Sequence, residues 1–391
     1  MAERKINPIK RHCEGAPKGR PKQSPSIITE KNKEIASSSL TSFGTPRNDG
    51  LKMVAWEFTR SCNLSCAHCR ASATSGPYPG ELSTAECFKV IDEIASFACV
   101  GSGPKPIIIM TGGEPLLRKD IFEIAEYGKG KGFTMVMSPN GTLLDEENIQ
   151  KIISSGIKRI SVSLDGPDSK THDNLRQVPG AFDKAIEGIK KAKANGVEIQ
   201  INSTISKRNI DLLPKIMELA KSLGVKAYHL FLLVPTGRGK LMENEELSPE
   251  QYEEALKFLS RIKKDFPLEL KVTCAPHFNR ILLQSDCGEA GQLKGRGCMG
   301  GVSFCFISHT GDLQPCGYLE LKCGNVRKEG FKKAWFESEV FNNIRDFSKY
   351  NGKCGVCEFK TVCGGCRARA YAKYGDYLRE EPYCIYEPRP S

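Results

Sequence analysis

Short apolar, β-branched runs alternate with amphipathic stretches between residues 52 and 264, and this alternation predicts repeated strand–helix units. Six runs in succession predict a parallel sheet with right-handed crossovers. The pattern alone does not separate an open doubly wound sheet from a barrel. The predicted strands are Met53–Phe58, Pro106–Met110, Phe133–Met137, Arg159–Leu164, Val197–Thr204 and Ala227–Val234.

Residues that begin or end helices support these units. Ser83-Thr-Ala-Glu86 has the form of a capping box at the start of the first helix. Gly196 and Gly224 stand where two later helices are expected to end. Ser248 followed by Pro249 predicts the start of one further helix, which closes this region.

Residues 1–50 differ from the rest of the chain. They are rich in Lys, Ser, Pro and Gly and carry ten Lys or Arg against five Asp or Glu. Such a segment cannot bury enough apolar surface to offset the entropy of ordering, so we predict a disordered basic tail. The whole chain of 391 residues has a net charge of +11. Its basic residues are not interleaved with aromatic ones, and we expect no nucleic-acid partner. We also expect no membrane span, because no apolar run approaches ~20 residues.

Cysteine is the most informative residue type, with 17 in the chain. Because the N-terminus lacks a secretory apolar core, we expect these thiols to bind metal in a reducing cytoplasm. Cys62, Cys66 and Cys69 follow the first predicted strand. Three thiolates leave one iron of a [4Fe–4S] cluster open, and an open coordination site is where a metal centre carries out chemistry. A three-cysteine zinc site or scattered core thiols are the alternatives.

The spacing Cys62-x3-Cys66-x2-Cys69, followed by Thr111-Gly112-Gly113-Glu114-Pro115, resembles the radical S-adenosylmethionine (SAM) superfamily. The resemblance implies an α/β fold, a partial (β/α)6 barrel with its site at the C-terminal ends of the strands. It implies that the three cysteines hold the catalytic [4Fe–4S] cluster and that the glycine-rich loop holds the amino group of SAM. His68 stands where the superfamily usually has an aromatic residue, and we expect its flat ring beside the adenine.

Other strand ends carry polar residues that suit the cofactor. Ser163 and Asp165 follow the fourth strand and suit the ribose hydroxyls of SAM. Asn140, Asn202 and Thr204 are further cofactor-binding candidates. Each also has an ordinary interpretation as turn chemistry, but their order at successive strand ends favours binding.

A second set of cysteines resembles the SPASM-type auxiliary-cluster extension. The resemblance assigns one auxiliary [4Fe–4S] cluster to Cys354, Cys357, Cys363 and Cys384. It assigns a second cluster to Cys298, Cys305, Cys316 and Cys366. Only two residues separate Cys363 from Cys366, where the family has three, so one or two clusters remain possible. Zinc is the alternative for paired Cys-x2-Cys units.

These features divide the chain into three parts. We predict a tail over 1–50, a barrel over 51–265 and a small cysteine-rich extension over 266–391.

Longer segments are similar to the anaerobic heme b synthases of the siroheme-dependent pathway. That family oxidatively decarboxylates two propionates of Fe-coproporphyrin III to vinyls. A 5′-deoxyadenosyl radical can take the unactivated β-hydrogen, and an auxiliary cluster can accept the remaining electron. We expect a low-potential donor such as ferredoxin or flavodoxin. The similar segments are Met53–Cys62, Phe231–Gly239, Thr273–His277, Gln314–Leu321 and Cys354–Tyr371.

Three residues are candidates for binding the porphyrin. Arg238 and Arg280 suit propionates, and His277 suits the substrate iron or proton donation. Ordinary surface arginines and a hydrogen-bonded loop histidine are the alternatives. For the function, the alternatives are a didecarboxysiroheme deacetylase, a heme d1-pathway relative, a peptide-modifying maturase and a non-catalytic electron carrier.

Overall fold

The computed structural model describes residues 50–98, 104–285 and 296–389. The predicted disorder of the tail therefore lies, apart from residue 50, outside the described residues. Within the described ranges, no helix combines the length and apolar character that crossing a bilayer requires.

All six predicted strands are present, and three more follow them. The later strands have two to five residues each. The strands are β1 Met53–Thr59, β2 Ile107–Gly112, β3 Thr134–Met137, β4 Arg159–Ser163, β5 Glu198–Ile205, β6 Ala227–Leu232, β7 Glu269–Thr273, β8 Phe304–Ile307 and β9 Leu313–Gln314.

The strands form one sheet in the order β7-β6-β5-β4-β3-β2-β1-β8-β9. Strands β1 to β8 pair with parallel neighbours, and only β9 is antiparallel. The predicted α/β class with a parallel sheet is confirmed. Strands β7 and β8 come from the predicted extension and add to both edges of the six-stranded unit. The division at residue 265 stays a prediction.

The predicted helix caps are confirmed. Ser83 and Glu86 exchange the two hydrogen bonds of a capping box, and Gly196 and Gly224 end their helices with positive φ. The helices are α1 Thr84–Ala98, α2 Ile121–Gly130, α3 Glu146–Ser154, α4 Ser169–Arg176, α5 Ala181–Ala194, α6 Leu213–Ser222, α7 Pro249–Ile262, α8 Phe278–Gln284, α9 Phe331–Glu337, α10 Glu339–Arg345, α11 Gly352–Val356 and α12 Arg367–Tyr374.

The two faces of the sheet differ in polarity. On β4, the buried side chains of Ile160 and Val162 alternate with Ser161 and Ser163, and β5 continues the same alternation. The apolar face packs into the main hydrophobic core with residues of the helices. The polar face carries the predicted cofactor-binding residues of these two strands.

Candidate active site

The cysteine loop begins directly after β1. Cys62 and Cys66 are each 7% exposed, and Cys69 packs against the same small apolar cluster. The N–H of Leu64 donates to Cys62 Sγ at 3.4 Å, and the N–H of Ala73 donates to Cys69 Sγ at 3.4 Å. Burial raises the pKa of Cys62 to about 12. The loop thus brings its three thiols together, with N–H donors that favour ligated thiolates.

The paired glycines at the end of β2 allow the backbone to dock on the cysteine loop. A Cβ on Gly112 would lie 2.4 Å from Thr59 O, and one on Gly113 would lie 2.4 Å from Ser61 O. The N–H of Glu114 donates to that same Ser61 oxygen at 2.8 Å. Any side chain at these glycines would therefore separate the two loops.

Glu114 is fully buried beside the loop. Its Oε2 accepts from Asn140 N at 2.6 Å, and its Oε1 accepts from Leu116 N at 3.1 Å. Burial raises the pKa of Glu114 to about 7, and the two hydrogen bonds oppose this shift. Asn140 also donates from its side chain to Asn63 in the cysteine loop at 2.8 Å, while buried Pro115 begins a short 3-10 turn. The carboxylate is thus held in place, with a charge that a cationic amino group would complement.

Asp165 is held by protein groups. Its Oδ2 lies 2.6 Å from Arg176 Nη2 and 3.4 Å from His68 Nε2, while Thr204 N donates to its Oδ1 at 2.8 Å. Burial alone would raise the pKa of Asp165, but its electrostatic interactions with Arg176 and His68 together have the larger effect. The pKa of Asp165 is therefore lowered. Asp165 therefore braces His68 and Arg176, which differs from the predicted contact with the ribose.

Two of the predicted strand-end residues remain accessible. Ser163 lies opposite Asn202 in the register of β4 and β5, and both side chains are partly exposed. The side chain of Ser163 is therefore accessible to a ligand, whereas the side chain of Asp165 is already bound by protein groups.

Arg176 is a site residue that the sequence did not reveal. It ends α4, and its Nη1 donates to Cys66 Sγ at 3.6 Å. The only sequence signal was its place on a polar helix after the fourth strand end, and such helices are usually solvated. In the structure, Arg176 is a buried cation in contact with a thiol of the cysteine loop.

Arg238, predicted to bind a propionate, contacts the cysteine loop in the structure. Its Nε donates to Cys66 O at 2.9 Å, and its Nη1 donates to Ala73 O at 2.6 Å. A Cβ on neighbouring Gly237 would lie 2.2 Å from Arg70 O, so this segment packs closely on the loop. Arg238 thus joins Cys66, in the middle of the cysteine loop, to Ala73, which follows its last cysteine.

His277 and Arg280, predicted to bind the porphyrin, are both buried in the structure. Arg280 is buried in an ion pair with Glu253, with its Nη1 3.2 Å from Oε1. His277 is buried, and neither of its ring nitrogens has a hydrogen-bond partner among the described residues. Burial lowers the pKa of His277 to about 4.

The four cysteines predicted for the first auxiliary cluster lie around one cavity. A small cavity is lined by Cys354, Cys357, Cys363 and Cys384, together with His277, Arg280 and Glu381. Two N–H groups point to the ligand sulfurs: Glu381 N donates to Cys354 Sγ at 3.3 Å, and Gly365 N donates to Cys363 Sγ at 3.4 Å. Four thiols around one cavity fit an iron–sulfur cluster.

A second set of thiols lies around Cys366. Cys274 and Cys316 pack with Cys366 in one apolar cluster. Burial raises the pKa of Cys274, and the nearby thiols of Cys366, Cys316 and Cys298 raise it further. Cys274 adopts φ +61°, an uncommon conformation for a residue with a side chain. Such strain persists where the surroundings fix a side chain.

Cys305, which the resemblance assigned to this group, lies on β8 opposite Val54 of β1 and is fully buried in the main core. The charged groups nearest to its thiol are Arg345 and Cys323. Cys274, and not Cys305, lies beside Cys316 and Cys366.

In the described ranges, no three Cys, His, Asp or Glu residues converge in a way that could hold a single metal ion.

Comparison with known families agrees with this geometry. The radical SAM superfamily matches residues 56–220, which contain the cysteine loop and the Gly-Gly-Glu-Pro loop. An iron–sulfur cluster-binding domain of the SPASM type matches residues 298–359.

A relative named AdoMet-dependent heme synthase, from Methanosarcina barkeri, is 48% identical over 346 residues, covering 86% of this chain and 97% of the relative. The chain belongs to the AdoMet-dependent heme synthase family. A second Methanosarcina barkeri protein, named Fe-coproporphyrin III synthase, is 32% identical over 358 residues, covering 86% and 88% of the two chains. Family membership makes this chain a radical SAM enzyme, with a [4Fe–4S] cluster, SAM and auxiliary iron–sulfur clusters as its cofactors.

Among solved structures, Streptococcus suis SuiB bound to its precursor peptide SuiA matches with a TM-score of 0.67 and 16% identity, over 97% of this chain and 85% of that chain. This likeness supports the fold.

Proposed function

We propose that this enzyme oxidatively decarboxylates two propionates of Fe-coproporphyrin III to vinyl groups and so forms heme b. The observation that carries the proposal is the 48% identity over nearly the whole of a named heme synthase, against 32% to a named Fe-coproporphyrin III synthase. Its cysteine content supports action in the cytoplasm with a low-potential donor such as ferredoxin or flavodoxin.

The residues around the cysteine loop fit the cofactors of the family. Cys62, Cys66 and Cys69 would hold the catalytic cluster, which together with bound SAM supplies a 5′-deoxyadenosyl radical. Glu114 would accept a hydrogen bond from the SAM amino group, and Ser163 lies free for a ribose hydroxyl.

Other residues keep the loop in one conformation. Asn140 fixes Asn63, Arg238 joins Cys66 to Ala73, and Arg176 holds a positive charge against Cys66. These contacts preorganise the site and lower the entropy cost of binding.

The C-terminal groups would hold the auxiliary clusters. We propose Cys354, Cys357, Cys363 and Cys384 for the first cluster and Cys274, Cys298, Cys316 and Cys366 for the second. Each propionate loses CO2, one hydrogen atom and one electron, and clusters of this kind can take up such an electron.

The test is anaerobic incubation of the reconstituted protein with SAM, a reductant and Fe-coproporphyrin III, followed by mass spectrometry. We expect heme b and about two 5′-deoxyadenosines per heme, because each side chain requires one hydrogen abstraction. A monovinyl intermediate should rise before heme b. Loss of acetates from didecarboxysiroheme, with Fe-coproporphyrin III unchanged, would place the enzyme in the sister activity.

A further inference from the structure

Helix α12 begins directly after Cys366 and carries two buried arginines, Arg367 and Arg369, which are 2% and 1% exposed. A buried guanidinium is costly unless acceptors or opposite charges surround it. Both arginines belong to the Cys354–Tyr371 segment, and the proposed reaction gives them no role. Their contacts divide them between the two C-terminal cysteine groups.

Arg367 lies against the first group. Its Nη2 donates to Cys354 Sγ at 3.7 Å, and its Nη1 donates to the carbonyl oxygens of Tyr377 and Arg379 at 3.0 and 2.6 Å. A Cβ on Gly365, which has φ +61°, would lie 2.2 Å from Arg367 Nη2 and 3.1 Å from Cys354 Sγ. The glycine therefore keeps open the space in which the cation and the sulfur meet.

Arg369 lies against the second group. Its Nη2 donates to Cys274 O at 2.7 Å, and its Nη1 pairs with Glu381 Oε1 at 3.0 Å. The other oxygen of Glu381 accepts from Cys366 N at 2.7 Å. The ring of Tyr252 lies 4.7 Å from the guanidinium, which fixes the plane of the cation. Arg369 thus contacts one cysteine of the second group directly and another through Glu381.

Charges and hydrogen bonds near ligating sulfurs set the reduction potential of an iron–sulfur cluster. A nearby cation favours the reduced form, which carries one more negative charge, and therefore raises the potential. We propose that Arg367 and Arg369 are positioning residues that tune the two auxiliary clusters separately, Arg367 the first and Arg369 the second. The pair then fixes which cluster is reduced more readily. This inference rests on the ligand sets given under the proposed function.

The experiment is a redox titration, followed by electron paramagnetic resonance, of the reconstituted holoenzyme and its Arg367→Gln and Arg369→Gln variants. Arg367→Gln should lower the potential of the first cluster more than that of the second. Arg369→Gln should lower the potential of the second cluster more than that of the first, with a smaller effect on the first because Glu381, its ion-pair partner, lies against both groups. The two signals are assigned in Cys357→Ser and Cys274→Ser backgrounds, each of which lacks one group. Each arginine variant is thus the matched control for the other.

Lysine variants cover the case in which a glutamine variant fails to load iron. Arg367→Lys and Arg369→Lys keep the charge but withdraw it from the sulfur, so they should give smaller shifts with the same selectivity. Equal shifts of both clusters, or no shift at full iron content, would overturn the proposal. The ligand sets are tested independently by the iron content of the cysteine variants, and the proposed function by the porphyrin product.

Discussion

The cysteine loop and the second C-terminal group contain the same residue type but are assembled in different ways. The loop takes three thiols from residues 62–69, directly after one strand. The second group takes four thiols from separate segments: the end of β7, the residues before β8, the turn after β9 and the start of α12. Local spacing therefore identifies the loop site, whereas the second group exists only because the sheet and α12 bring distant segments together.

The two regions also differ in how their cations are used. At the loop, Arg238 binds carbonyl oxygens and Arg176 is paired with Asp165. In the C-terminal region, Arg369 is paired with Glu381, while Arg367 donates to carbonyls and a thiol. At the loop, Arg176 both pairs with a carboxylate and contacts a thiol, whereas in the C-terminal region Arg369 pairs with the carboxylate and Arg367 contacts the thiol.

The largest expected effect is in the loop. Cys66→Ala should abolish 5′-deoxyadenosine formation, because two thiolates cannot hold a cluster that needs three protein ligands. The measurement is chromatography of 5′-deoxyadenosine after anaerobic incubation with SAM and reductant. Cys87→Ala is the control, since Cys87 is a buried core thiol on α1 and its loss should leave cleavage intact. Normal cleavage by Cys66→Ala would remove the loop from the mechanism.

Cys357→Ser should separate the two regions functionally. The variant should still cleave SAM in the presence of substrate, because the loop is untouched, but it should form little vinyl product. Product analysis by mass spectrometry beside 5′-deoxyadenosine quantification measures both steps. Full heme formation would show that the first C-terminal group is dispensable for the reaction.

A matched pair of variants tests which cysteine completes the second C-terminal group. Cys274→Ala should lower the iron content by about four atoms per chain, the amount in one [4Fe–4S] cluster. Cys305→Ala should keep its iron and lose about 1 kcal/mol of unfolding free energy, since it removes a small core side chain. Iron analysis and thermal unfolding distinguish them. Iron loss in the Cys305 variant alone would restore the ligand set predicted from the sequence.

The smallest expected effect concerns Arg238. Arg238→Gln should reduce iron retention partially, because it removes hydrogen bonds worth about 1.5–3 kcal/mol each when the donor is charged, while the KM for the porphyrin stays unchanged. Arg208→Gln is the control, since Arg208 makes a partly exposed ion pair with Glu245. Full iron content with a raised KM would instead make Arg238 a substrate ligand.

The sequence by itself determined the six strands, the helix caps and the cysteine loop. These features depend on neighbours within a few residues, where alternation and capping chemistry are strong. Glu114 and the paired glycines were also identified locally, although the structure shows that the glycines accommodate the backbone of the loop.

Only the tertiary structure decided how distant residues are used. Cys305 lies on a strand whose residues are all apolar, so the sequence did not show that its side chain packs in the core against β1. Asp165 and Arg238 are polar residues at strand ends. In the folded protein, Asp165 pairs with Arg176, and Arg238 donates to carbonyl oxygens of the cysteine loop. A buried charge must find a partner, and the fold determines which partner lies within reach.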